Sequence, residues 1–156
     1  MVSDLKVIGI KGNAPFQSIV DHFISLGGEV VLMNPMYVYG KDHIISAVEH
    51  AERAFRNGTN RSKTIMMEII MYAAGDRQIS SALSKMKPRP DTTEYVAAVL
   101  DVPGDLMLDK IGMVRDDKLI EGTPEKAKLI GLMDCEGISY DQLILEKVAL
   151  LDVAKI

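Results

Sequence analysis

The chain has 156 residues, 47 % of them apolar, enough for one domain with a real core. It holds no uninterrupted apolar run long enough to span a membrane, and its one cysteine, Cys135, rules out an intrachain disulfide and suits a reducing compartment. The net charge of −4 argues weakly against nucleic acid as a partner.

The start, Met1-Val2-Ser3-Asp4-Leu5-Lys6, lacks the basic region and apolar stretch of an export signal, so a cytoplasmic protein is expected. Residues 5–10 alternate and predict a strand that ends within 9–12. Pro15 opens a predicted helix over 15–26, with Gly27 just past its end. A second strand is expected over 29–33, continued beyond Pro35 by 36–39. The stretch 42–56 reads as a helix with Ile44, Ile45, Val48 and Phe55 inward, closed by Asn57-Gly58. Two further helices are expected over 62–74 and 76–86. Residues 95–102 form the clearest buried strand, followed by a short helix over 105–112 and a strand over 118–121. Thr123-Pro124-Glu125 is a good helix start, running to about residue 133. The last helix spans 139–154, and the spacing of Ser139 and Gln142 lets each side chain bond the other's backbone N–H, a capping box. Strands separated by helices without steady alternation predict an α+β fold. The expectation is a mixed, largely antiparallel sheet flanked by helices, in a single domain over 1–156.

Charge is unevenly spread. Residues 53–89 hold eight basic residues against two acids, a net of +6, while the remainder carries −10. Such an island can bind an anion locally, or it can be a set of solvated side chains.

Three features need explaining. The 63–74 helix is apolar on every face, as in a buried helix, yet carries Glu68, which must be paired, hydrogen-bonded or protonated. In Gly75-Asp76-Arg77-Gln78, Gly75 can end one helix and Asp76 can cap the next. Arg77 would then fall in a first helical turn, where it and free backbone N–H groups make an anion site. Alternatively Arg77 reaches Glu68 or Asp76. In the last helix, Leu143, Ile144, Leu145, Val148, Ala149, Leu150, Leu151, Val153 and Ala154 exceed one stripe, and Ile156 adds to them. A second apolar face points to a protein partner, or to a centrally inserted helix.

Several chemistries are missing. There is no phosphate loop, no dinucleotide fingerprint and no nucleophile elbow. His43 and His50, two turns or about 10.5 Å apart on a helix, are too distant to share a metal readily, and both read as solvated. No metal, cofactor or catalytic residue is expected. An enzymatic alternative remains, a small nucleotide-binding enzyme domain using Glu68, Arg77 and Cys135.

The run Asn60-Arg61-Ser62-Lys63-Thr64-Ile65-Met66-Met67-Glu68-Ile69-Ile70-Met71-Tyr72-Ala73-Ala74-Gly75-Asp76-Arg77-Gln78-Ile79-Ser80-Ser81-Ala82-Leu83 resembles the signature of the kinase-binding small subunit of the KEOPS (EKC) tRNA-modification complex, the TPRKB family. The ending Leu145-Glu146-Lys147-Val148-Ala149-Leu150-Leu151 is similar too. Where the family turns through a glycine-containing loop, this chain has Lys87-Pro88-Arg89-Pro90, which is stiffer. The resemblance implies a non-catalytic subunit that docks on the kinase-like ATPase of the complex and binds the 3′ CCA end of tRNA. It would thereby support threonylcarbamoyl-adenosine formation by a separate threonylcarbamoyltransferase subunit. Asn60, Arg61, Lys63, Arg77 and Gln78 are then the expected tRNA site, with Lys85, Lys87 and Arg89 toward the tRNA body and Tyr72 the nearest stacking surface. Leu143, Leu150, Val153, Ala154 and Ile156 are the expected kinase face. A further alternative is a kinase regulator without RNA contact.

Overall fold

In the computed structural model, which describes residues 2–154, the alternating segments become β1 (Leu5–Gly12), β2 (Glu29–Met33), β3 (Glu94–Leu100) and β4 (Met113–Arg115). They form one sheet in the order β2-β3-β1-β4. Every neighbouring pair is antiparallel, so the expected mixed character reduces to β1 and β2 running parallel on either side of β3. Because strand side chains alternate between faces, Val96, Ala98 and Leu100 of β3 join Val7, Val31 and Met33 on one face. Tyr95, Ala97 and Val99 join Ile8, Ile10, Val30 and Leu32 on the other.

Both faces are covered. α1 (Phe16–Ser25) inserts Ile19 and Phe23 into the second cluster. α2 (Lys41–Asn57), α3 (Ile65–Ala74), α4 (Ile79–Met86) and α6 (Tyr140–Ala154) build the first, through Ile44 and Val48, Ile69 and Tyr72, Ala82 and Met86, and Val148 and Leu151. α5 (Pro124–Ile130) is capped by the Thr123 hydroxyl, which accepts from the Lys126 N–H at 3.1 Å, and it packs beside the turn after β2. The capping box of α6 forms as expected, Ser139 N–H to Gln142 Oε1 at 3.1 Å and Gln142 N–H to Ser139 Oγ at 3.2 Å. Among the described residues no helix is long and apolar enough to cross a membrane.

Local chemistry redirects several expected elements. Residues 36–39 do not extend β2. Pro35 has no N–H for a ladder, and the Asn34 carboxamide oxygen accepts from the Met36 N–H at 3.0 Å, winding Pro35–Tyr37 into a 3-10 turn. The strand expected over 118–121 lies earlier, at β4. There the Asp116 carboxylate takes the Lys118 N–H and folds Asp117–Ile120 into another 3-10 turn. That turn crosses β1 so closely that a Cβ on Gly9 would lie 2.0 Å from the Asp116 carbonyl oxygen, which requires glycine there. The helix expected over 105–112 shrinks to a 3-10 turn at Leu108–Ile111, preceded by Met107 at φ 50°.

Candidate functional site

The expected tRNA residues are arranged by α3, and α3 separates them. The Thr64 hydroxyl caps its start by accepting from the Met67 N–H at 3.2 Å, so the helix begins at Ile65, not at Ser62. Glu68 is fully buried, and its carboxylate turns back toward that start. It accepts from the Arg61 N–H at 3.1 Å, the Ser62 N–H at 3.0 Å and the Ser62 hydroxyl at 2.5 Å. A buried carboxylate tolerates desolvation when several donors surround it. Glu68 is therefore the anchor that shapes residues 60–63. Asn60 Nδ2 adds a bond to the Ser62 carbonyl at 2.9 Å, while the side chains of Arg61 and Lys63 are exposed.

The other end of α3 is closed by a Schellman motif. Gly75 adopts φ 65°, its N–H bonds the Tyr72 carbonyl, and the Asp76 N–H bonds the Met71 carbonyl, both at 3.1 Å. His43 of α2 completes this end. Its Nε2 meets the Ala73 carbonyl at 2.8 Å, while Nδ1 accepts from the Tyr39 N–H at 3.0 Å, which makes Nε2 the protonated nitrogen. His43 is fully buried, and burial holds its pKa down at about 4. The solvated histidine expected from sequence is thus a neutral core group. His50, also expected in solvent, is half-buried and bonds Asp152 of α6 at 2.8 Å. Tyr72, the expected stacking surface, is buried against the His50 ring and donates its hydroxyl to Asp152, so its face is closed to a base.

The glycine hinge is where expected, but the anion site proposed beside it is altered. α4 begins at Ile79, so Arg77 precedes the helix and does not lie in its first turn. The Asp76 carboxylate occupies the position an anion would take. A hydrogen bond from Ser81, then one from the Gln78 N–H, hold it below the usual carboxylate range. Lys85 pairs with the same carboxylate at 3.4 Å. Exposed Arg77 reaches neither Glu68 nor Asp76. Its Nη1 approaches the Ala154 carbonyl at 3.5 Å, at the C-terminal end of α6, where a cation meets the negative end of the helix dipole.

Two groups of expected RNA contacts therefore stand at opposite ends of a ten-residue helix, about 15 Å long. Asn60, Arg61 and Lys63 are at one end; Arg77, Gln78 and Lys85 are at the other. The basic island is also divided. Arg56 opens onto a cavity of about 540 Å³ whose other charged lining residues are Glu29, Glu52 and Asp101. Sequence reasoning missed Lys147, whose stem lies so close over Gly75 that a Cβ there would come within 2.9 Å of its Cγ. Burial, then the nearby Lys85, lowers its pKa. The signal was present, because 144, 147, 148 and 151 share the inward stripe of α6.

The expected kinase face divides as well. Ile144, Val148 and Leu151 are core, whereas Leu150 and Val153 are 55 % and 66 % exposed. Ala154 is exposed and Leu143 half-buried; Ile156 lies outside the described residues. Leu143, Lys147, Leu150 and Ala154 line a groove of about 380 Å³ between α6, Gly75 and the 131–135 segment, which carries exposed Cys135. Arg77 and the apolar face thus meet at one corner of the molecule. Cys135 borders this groove, but Glu68 is turned to the far end of α3, so the expected enzymatic trio does not converge. Among the described residues no group of three or more His, Cys, Asp or Glu side chains could hold a metal.

A family model described as kinase binding protein CGI-121 matches residues 13–155, nearly the whole chain. No curated protein matches it. The family is the one that the 60–83 run resembles.

Proposed function

From the premise that the chain belongs to the CGI-121 family of kinase-binding proteins, we propose that it is a non-catalytic, cytoplasmic subunit of a tRNA-modifying assembly. It docks on a kinase-like ATPase through Leu143, Leu150, Val153 and Ala154 of α6 and holds the 3′ CCA end of tRNA with cations at both ends of α3. The modification supported is threonylcarbamoyl-adenosine formation, carried out by a separate transferase subunit. The observation that carries this reading is the exposed apolar stripe of Leu150 and Val153, which leaves large side chains in water beside a groove. Each forgoes roughly 1.5–3 kcal/mol of burial, and a contiguous patch of this kind marks a partner surface.

The RNA half rests on Lys63 and Arg77 as phosphate contacts, with affinity that falls as salt rises. Asn60 and Gln78 lie beside them to bond base edges of a single-stranded tail. Two such contacts about 15 Å apart suit a strand laid along α3, and a single phosphate pocket would not join them. A second reading, kinase regulation without RNA, is favoured by one observation: Asp76 already takes the Gln78 N–H at the hinge. A filter-binding titration with tRNA, intact and lacking its CCA end, separates the two. Loss of retention on removing CCA supports the first reading, and no retention of either tRNA leaves kinase binding alone. Capture of the kinase-like ATPase by the purified chain tests the shared half.

A further inference from the structure

A third cleft lies at the end of the sheet where β2 stops and β3 begins. It has a volume of about 430 Å³ and is bounded by the turn after β2, the 88–94 loop, the turn before α5 and α5 itself. Three cations line it: Arg89, Lys118 and Lys126. One acid, Glu94, is at its edge. On a chain of net charge −4, this is a local excess of positive charge inside a concave wall.

Lys126 is the informative member. It is only 6 % exposed, an unusual state for a lysine. Its ammonium donates to the Leu119 carbonyl at 2.7 Å. Among the described residues no carboxylate lies within salt-bridge distance of it, although Glu121 acts on it from farther off. Burial lowers its pKa to about 8. A buried cation is stabilised by a counter-charge, and the described residues supply none in contact. Arg89 and Lys118 are exposed and form no salt bridge among the described residues, though Asp116 lies in the field of Lys118. The other walls are mostly apolar, with Tyr37 and buried Pro88 among them, and Asn34 and Thr92 add two uncharged polar side chains. The two prolines flanking Arg89 fix the backbone that carries it.

We propose that this cleft binds the phosphate of a small organic phosphate of nucleoside-monophosphate size. Lys126 forms the charged floor, Arg89 and Lys118 hold the phosphate oxygens from the rim, and the Tyr37 and Pro88 walls take the organic part. Phosphate fits better than a carboxylate because three cations line one cleft and because arginine's planar fork matches two of its oxygens. The volume falls in the range of small-molecule sites. The inference is independent of the kinase assignment and shares only Arg89 with the residues expected toward the tRNA body.

The test is titration of the full chain, followed by amide chemical shifts, with three probes: inorganic phosphate, AMP and the trinucleotide CCA. Saturable shifts at Tyr37, Arg89 and Lys126 are expected with AMP. Affinity should fall at least tenfold in Arg89→Ala and in Lys126→Met. Arg89 is on an exposed loop, so its variant remains folded and keeps the test open if Lys126→Met does not. CCA binding there without AMP binding assigns the cleft to RNA and overturns the small-molecule reading. No saturable binding of any probe at the cleft, or affinity unchanged in both variants, overturns it.

Discussion

The two ends of α3 meet the same requirement in opposite ways. At the start, a buried anion, Glu68, gathers the backbone N–H groups of Arg61 and Ser62 and so shapes the segment before the helix. At the end, a buried neutral ring, His43, donates to the Ala73 carbonyl while glycine turns the chain. The Ala73 carbonyl needs a partner because a helix leaves its last carbonyls unsatisfied, and the Arg61 and Ser62 N–H groups need one because they lie in the turn before the helix with no ladder to join. The consequences differ. The Glu68 end holds its cations outward, on a segment fixed by local bonds. The Gly75 end has its cations already engaged, Lys85 with Asp76 and Arg77 with the Ala154 carbonyl. The first end carries Arg61 and Lys63 on an exposed segment, and the second carries Arg77 against the end of α6.

The largest effect should come from breaking the first end. Glu68→Ala leaves the Arg61 and Ser62 donors without their acceptor, at a cost of about 3–4 kcal/mol, measurable by urea unfolding. It should also weaken tRNA retention through the loosened 60–63 segment. A variant as stable as the parent would show that Glu68 is no anchor.

Acid should attack the second end first. The folded pKa of His43, about 4, lies below its ordinary 6.5. The unfolded chain therefore binds a proton more readily, and the stability gained from a neutral His43 is complete above pH 6.5. It is lost as pH falls from 6.5 toward 4, by about 3 kcal/mol in total. Asp76 and Asp101, whose pKa values are lowered by hydrogen bonds, add their loss only below the ordinary carboxylate value of 3.8. His43→Gln, which keeps a donor and an acceptor, should flatten the slope in the upper window. An unchanged slope in that variant would place the titrating group elsewhere.

On the α6 face, Val153→Asp should weaken capture of the kinase about tenfold or more, equivalent to about 1.4 kcal/mol, with the thermal midpoint of the isolated chain unmoved. Unfolding of this variant would instead make that side of α6 core. The smallest effect compares the ends directly. Lys63→Ala and Arg77→Ala should each reduce the salt dependence of tRNA binding by about one ion, with stability changes within about 0.5 kcal/mol. Only Arg77→Ala should also alter kinase capture, because its guanidinium lies against Ala154. Equal effects of the two variants on the kinase would remove the distinction between the ends.

Much of this was legible in the sequence where the controlling contacts are short-range. The Gly75 hinge, the Thr123 cap and the Ser139 and Gln142 capping box each depend on residues a few positions apart, and each forms. The central strand followed from its unbroken apolar run, and the doubly apolar α6 from an excess of large residues beyond one stripe. Short-range signals also misled. Residues 36–39 and 118–121 look like strands in composition, but Asn34 and Asp116 side chains capture nearby N–H groups and curl them.

The sequence by itself determined the family, the helix boundaries set by glycine and capping residues, and the presence of more apolar surface on α6 than one core face can use. The tertiary structure alone decided which charged and polar groups are buried and which cations share a surface. His43 meets Ala73 across 30 positions and Tyr72 meets Asp152 across 80. Burial and charge proximity are properties of where distant segments pack. A pattern read within one helix carries no record of the helix that will cover it.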